Sequence, residues 1–265
     1  MEQALFISKA DNVKYFMEDF SRLYFGTEFC ERLIPTIEDI KEILGFVQKK
    51  CLEFTLVTPY VTNRGLEKLE KILEFVAGEK VKTEIVFNDW GVLHLIHEQF
   101  PGHVPVMGRL LNKLKRGPRI MNIIDKVPGP TRDFYQGSCL DVPELCEFLK
   151  MMGVYRVEFD NLLQGTNLDA TDTDIKKTLY MPFAFVSTTR FCLSAHADSA
   201  ERPDYVGIFP CGRECRKYTF QLENPVMPVP LIRKGNAVFF LNENIPDSVH
   251  KGQVDRIVVE PEIPV

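Results

Sequence analysis

Residues 54–87 read FTLVTPYVTNRGLEKLEKILEFVAGEKVKTEIVF. Phe54–Thr58 is a short apolar run stopped by Pro59, the pattern of a buried strand. Gly65–Val76 then sets Leu66, Leu69, Ile72, Leu73 and Val76 on one stripe at helical spacing. Glu84–Phe87 (EIVF) returns to a strand pattern. Strand, amphipathic helix and strand in this order make a βαβ unit, whose two strands run parallel.

The alternation extends in both directions. Upstream, Arg22–Gly26 (RLYFG) reads as a strand, and Thr36–Lys50 as a helix opened by Pro35 with Ile37, Ile40, Ile43, Leu44 and Val47 on its stripe. Downstream, a helix over Asp89–Gln99, a strand at Val104–Met107, a helix at Pro143–Met152 and a strand at Tyr155–Phe159 follow. Further strand patterns lie at Pro182–Val186, Ala237–Leu241 and Arg256–Glu260. Eight or so strands alternating with helices predict an α/β fold of the TIM-barrel-like (β/α) type. An open doubly wound sheet would fit the alternation too, but no glycine-rich phosphate loop supports it. The second half carries fewer helices, and the barrel is expected to be irregular or incomplete there. Residues 1–265 are expected to form one domain, with a proline-punctuated, irregular segment at 187–230 that bears three cysteines.

The 265 residues are 45% hydrophobic, ample for a core, and carry a net charge of −5. That balance gives no global attraction to nucleic acid or to acidic membranes. No run approaches the ~18 apolar residues of a membrane span. The opening MEQALFISKADNVKYF does not read as a secretory signal, so a cytoplasmic location is expected. In that compartment seven cysteines read as thiols or metal ligands rather than disulfides, and their odd number agrees.

Cys192, Cys211 and Cys215 fall within TTRFCLSAHADSAERPDYVGIFPCGRECRKY (188–218), and Cys30 closes YFGTEFC (24–30). Four thiolates are the donor set of a structural zinc site or of a 4Fe-4S cluster. In the C-x3-C pair, Pro210 and Gly212 break regular structure, and Gly212 allows close backbone approach. Arg213, Arg216 and Lys217 place positive charge beside the thiols, which is expected to lower their pKa values. The residues alone leave two readings of equal weight: metal ligation, or a turn with two incidental thiols. Cys146 in an apolar helix stripe, Cys51 at a helix end and Cys139 in a QGSC loop read as structural.

TTRFCLSAH followed by FPCGRECRKYTF resembles the paired signature of the collagenase-like peptidase family U32. Members usually carry a further cysteine seven residues before the first; Phe185 stands at that position here. One branch of the family, the iron–sulfur accessory proteins of dioxygen-independent ubiquinone biosynthesis, takes its fourth ligand from an N-terminal phrase that YFGTEFC matches. FNDWGVL (87–93) and VFFLNENIPDS (238–248) resemble two more phrases of that branch. The resemblance covers roughly residues 20–260. It implies a barrel with a 4Fe-4S cluster on Cys30, Cys192, Cys211 and Cys215, zinc being the alternative metal. It also implies a role in an oxygen-independent modification, a hydroxylation, with a second U32-family protein as partner. The family name implies peptidase-type hydrolysis as an alternative, although no G-x-S-x-G elbow or Ser/His/Asp set stands out.

Three other groupings are candidates. His94, His97 and His103, with Glu98, form an H-x2-H-x5-H run that could hold zinc or simply be surface histidines. Arg109, Lys113, Lys115, Arg116 and Arg119 make a basic run without an acidic residue. It is a candidate patch for an anionic substrate, for RNA as a scaffold protein would bind it, or only a solvated face. Asn88-Asp89 and Asp160-Asn161 each follow a strand, where they are either active-site residues of a barrel or helix N-caps.

Overall fold

The computed structural model describes residues 1–79, 81–168, 174–200 and 207–265. Among the described residues twelve strands are formed: β1 (Glu2–Ile7), β2 (Arg22–Gly26), β3 (Glu53–Val57), β4 (Thr83–Phe87), β5 (Val104–Met107), β6 (Arg156–Asp160), β7 (Lys176–Met181), β8 (Phe183–Thr188), β9 (Phe220–Leu222), β10 (Leu231–Lys234), β11 (Ala237–Leu241) and β12 (Arg256–Val259). The helices are α1 (Ile37–Lys50), α2 (Asn63–Gly78), α3 (Trp90–Gln99), α4 (Gly129–Gln136), α5 (Pro143–Met151) and α6 (Asp247–His250). Thr36 rather than Pro35 caps α1, through a capping box with Asp39.

Eight parallel strands close in the order β1-β12-β7-β6-β5-β4-β3-β2. The expected α/β barrel is therefore present, and it closes completely. Its membership differs from the sequence reading. Glu2–Ile7 and Lys176–Met181 are barrel strands that the pattern did not mark. Two expected strands, at 182–186 and 237–241, instead belong to a separate antiparallel sheet in the order β8-β11-β10-β9. Along a single strand, local hydrophobicity does not say which neighbour it will pair with.

The barrel inverts the usual polarity of a half-buried strand. Leu23, Phe25, Phe54, Leu56, Ile85, Phe87, Val157, Phe159 and Leu179 point outward and pack with the apolar stripes of α1, α2, α3 and α5. The alternate residues point inward, and many are charged. At the N-terminal end, Arg256 bonds Glu2 and Glu84, Arg22 bonds Glu2, and Arg156 bonds Asp255. Above them the rings of Phe6, Tyr24 and Tyr180 meet edge to face, with centroids 6.1–6.4 Å apart. RVEFD at 156–160 shows the arrangement within one strand. Arg156, Glu158 and Asp160 face the lumen while Val157 and Phe159 face the helices.

The second sheet lies over the C-terminal end of the barrel. β8 follows β7 after one residue, Pro182. The Asp160 carboxylate at the end of β6 accepts from the Phe185 backbone N–H at 2.8 Å. Phe29, Phe185, Phe239, Ile263, Val265 and Cys215 form a distinct apolar cluster between sheet and barrel. Much of the described part of the 187–230 segment is irregular; residues 201–206 lie outside the described residues.

Candidate functional site

In a (β/α) barrel the C-terminal ends of the strands ordinarily form the reaction site. Here that mouth is filled in two layers. The lower layer is ionic. Arg109, just past β5, is fully buried and donates to Glu28 Oε2 at 2.6 Å, to Asp160 Oδ1 at 3.2 Å, to Glu260, and to the Phe183 carbonyl at 3.1 Å. Its guanidinium carbon lies 4.1 Å from the Tyr180 ring centroid. Arg116 holds the other Asp160 oxygen at 2.9 Å. Burial pushes the Glu28 and Glu260 carboxyls up despite Arg109 beside them. Glu158 is pushed up to about 8 by burial and then by the charge of Glu28.

This network corrects the expected anion patch. Arg109 and Arg116 turn inward and bind carboxylates of the protein itself, so neither presents a free charge. Lys113, Lys115 and Arg119 remain exposed. The strand-end residues divide between the two readings. Asp89 caps α3 by accepting from Gly91 N–H at 2.8 Å. Asn88 braces the Thr58 carbonyl and the Leu110 N–H. Asp160 is a member of the ion network, and Asn161 ties β6 to the Asn242 and Asn244 carbonyls.

The upper layer brings the four expected cysteines together. Cys30, Cys192, Cys211 and Cys215 all line one cavity of about 50 Å³, with Arg32, Arg190 and Asn236 among its other walls. Cys30 arrives from the N-terminal half because of Gly26. That residue has φ +137°, and an added Cβ would fall 2.1 Å from the Val57 carbonyl oxygen, so only glycine lets the chain leave β2 here. The next four residues place Glu28 below, in the ion network, and Phe29 and Cys30 above it. On the opposite wall Gly235, at φ +62°, admits Cys215; a Cβ there would stand 3.2 Å from the Cys215 Cβ and 2.8 Å from Val265.

Sequence reasoning missed the residue that joins the two cysteine loops. The buried Glu214 carboxylate accepts from the backbone N–H groups of His196 at 2.8 Å and Gly212 at 3.0 Å. It thereby binds the loop after Cys192 to the C-x3-C turn. Burial alone would raise this carboxyl; the N–H groups outweigh burial and hold it below the usual range. Its position inside C-G-R-E-C was the available signal. The left-handed residue of that turn is Arg213, at φ +62°, rather than Gly212.

The basic residues near the C-x3-C pair also lie elsewhere than expected. Arg213 and Arg216 line a groove with Asp39 and Glu42, and Lys217 pairs with Asp198 at 2.9 Å. Burial shifts the Cys30, Cys192 and Cys215 thiols upward. Burial, followed by the neighbouring thiols, raises Cys30, and burial raises Cys192. Cys215 is pushed up to about 11 by burial, then by Cys192, Cys30 and Cys211. Among the described residues no three His, Cys, Asp or Glu side chains stand close enough to hold one metal ion. All four cysteines nevertheless line the same cavity, and four thiols are the donor set of a 4Fe-4S cluster or of a structural zinc.

The other thiols lie away from this cavity. Cys139 contacts Asn112 Oδ1 at 3.2 Å, Cys146 contacts the Leu140 carbonyl at 3.4 Å, and Cys51 is the exposed C-cap of α1. His94 and His97 are exposed on α3, whereas His103 is buried against Phe100, so the histidine run does not converge.

No protein-family model matches this sequence, and no curated protein matches it. Among solved structures, the chain is similar to a U32 peptidase at 10% identity and TM-score 0.49, covering 100% of this chain and 94% of that one. It is also similar to a glycoside hydrolase family 18 N-acetylglucosaminidase from Paenibacillus barengoltzii, at 8% identity and TM-score 0.38, covering 97% and 94%. Among the described residues no helix is long and apolar enough to cross a membrane.

Proposed function

We propose that this chain is an iron–sulfur protein of the U32 type, with a 4Fe-4S cluster held by Cys30, Cys192, Cys211 and Cys215. The observation that carries the reading is the gathering of these four thiols, from both halves of the chain, around one cavity. The residues fit the group. The donor set is four thiols, Gly235 leaves room beside Cys215, and Arg32 offsets the negative charge of a thiolate-bound cluster. Burial keeps Cys30, Cys192 and Cys215 above the usual thiol range, and ligation would draw off their protons. When bound, such a cluster supplies one-electron chemistry or a covalent staple. In this chain Glu214 fixes the two cysteine loops, and Phe29, Phe185 and Phe239 pack in one apolar cluster with Cys215.

The biological role that accompanies this reading is an oxygen-independent modification, a hydroxylation, carried out in the cytoplasm with a second U32-family protein. The phrases around Cys30 and Cys192 support it. Purification without oxygen, followed by iron and acid-labile sulfide analysis, tests the cofactor. About four irons and four sulfides per chain are expected. Cys215→Ala and Cys30→Ala should lose them, while Cys139→Ala should retain them. A colourless protein that carries zinc or no metal overturns the reading.

A further inference from the structure

Beside the cysteine cavity the C-terminal ends of β3, β4 and β5 leave a groove of about 450 Å³, bordered by Tyr60, Asn88, Leu110, Phe185, Thr188 and Arg190. Its size is that of an ordinary small-molecule site. Most of its polar atoms are already engaged. Asn88 uses both ends of its amide on the backbone, at 2.9 Å to Thr58 and 3.2 Å to Leu110. Thr188 bonds the Asn236 carbonyl at 3.2 Å and the Tyr60 hydroxyl at 3.3 Å. Thr189 accepts from the Phe191 N–H at 3.2 Å. Tyr60, Leu110 and Phe185 supply an apolar floor.

Arg190 differs from these. It is exposed, and its guanidinium makes one hydrogen bond, to the Val61 carbonyl at 3.3 Å. No described carboxylate pairs with it. Its guanidinium carbon sits 5.4 Å from the Tyr60 ring centroid, which steadies it while leaving most of its N–H groups available. In this respect it contrasts with Arg109 and Arg116, which the protein's own carboxylates occupy.

The groove and the cysteine cavity share a wall. Arg190 lines both. The Tyr60 hydroxyl, on the groove side, accepts from Asn236 Nδ2 at 3.1 Å, and Asn236 lines the cysteine cavity. The same Nδ2 also donates to the Thr189 carbonyl at 2.9 Å and to the Phe29 carbonyl, one residue before Cys30. One tyrosine and one asparagine thus separate a ligand in the groove from the four thiols.

We propose that this groove binds the substrate, a small molecule with an apolar planar body and one anionic group, carboxylate or phosphate, held by Arg190 across the Tyr60–Asn236 wall from the cysteine cavity. An arginine fork matches either anion with two parallel hydrogen bonds. The apolar body covers Leu110 and Phe185. The assignment as substrate site rests on the cluster reading, whereas ligand binding as such does not.

Saturation-transfer NMR with benzoate, phenyl phosphate and benzamide as probes tests it, on protein with and without reconstituted iron. At least one of the two anions should bind, and benzamide about tenfold more weakly or worse. Arg190→Gln should erase that preference for the anion, and Ser187→Trp, a change at an exposed position on the groove, should block both classes. Binding that persists in iron-free protein while iron analysis fails leaves the groove standing without the cluster. Absence of saturation transfer from the wild type to both anions overturns the proposal, as does unchanged anion binding in both variants.

Discussion

The two ends of the barrel carry the same kinds of side chain and treat them in opposite ways. At the N-terminal end burial pushes the carboxyls of Glu2, Glu84 and Asp255 up, but Arg256, Arg22 and Arg156 outweigh it and hold all three below their usual range. Their side chains are 25%, 17% and 43% exposed, so water shares the charge. At the C-terminal end Arg109, Glu28, Asp160 and Glu260 are wholly buried, and burial wins: Glu28 and Glu260 are pushed up. Nearby, Glu158 rises to about 8. The second sheet makes the difference. It seals one mouth of the barrel, removes water from the ion network, and carries the cysteine cavity on its upper side. A charge cluster that water can reach is ordinary ion pairing. Under the second sheet, burial holds the Glu28 and Glu260 carboxyls above their usual range in spite of Arg109.

Removing the central cation breaks this contrast most sharply. Arg109→Met leaves Glu28 and Glu260 sealed without their cation, while Asp160 keeps Arg116, and should cost about 3–5 kcal/mol in chemical denaturation. Arg156→Met, at the wetter end, leaves Asp255 able to rehydrate and should cost about 1 kcal/mol. Equal losses in the two variants would show that the lid does not dehydrate the upper network.

The pH dependence follows from Glu158. Its folded pKa lies above its unfolded value near 4.5, so its contribution is fully present below about pH 4.5 and is lost as pH rises through about 8. Glu158→Gln keeps the acceptor for the Tyr180 hydroxyl, which sits 2.6 Å from Oε2, and cannot ionise. Relative to wild type the variant should therefore gain stability between pH 5 and 8, as thermal unfolding across that range would reveal. Glu2, Glu84 and Asp255 act in the other direction: their contribution is lost as pH falls below about 4.

The smallest of these effects concerns the cysteine loops. Glu214→Gln replaces a charged acceptor of two backbone N–H groups by a neutral one, and should cost about 1 kcal/mol. Faster amide exchange at His196 and Gly212, with exchange in the barrel strands unchanged, is the expected signature.

The strand count inferred from the sequence agrees with the barrel for a reason the sequence does not contain. Two barrel strands went unmarked. β1 is followed by a short 3-10 turn at Ala10–Tyr15 rather than an amphipathic helix, and β7 runs straight into Pro182 and β8. Two expected strands pair antiparallel in the cap instead. The polarity of the strands is similarly ambiguous in one dimension. R-x-E-x-D at 156–160 alternates cleanly, but only the position of the helices shows that its charged face is the interior. For the cysteines, a spacing motif and neighbouring phrases named the four residues that share a cavity. The arginines beside them misled, because a side chain adjacent in sequence can point to the opposite face of a turn.

By itself the amino-acid sequence determined the alternation of strands and helices, the α/β barrel class and the names of four cysteines, because periodicity and short motifs are local properties of a chain. Tertiary structure alone decided which strands close the ring, which arginines are free, and that Cys30 crosses to the other three. Those outcomes depend on closure between residues far apart in sequence, and on water being excluded where the second sheet covers the barrel.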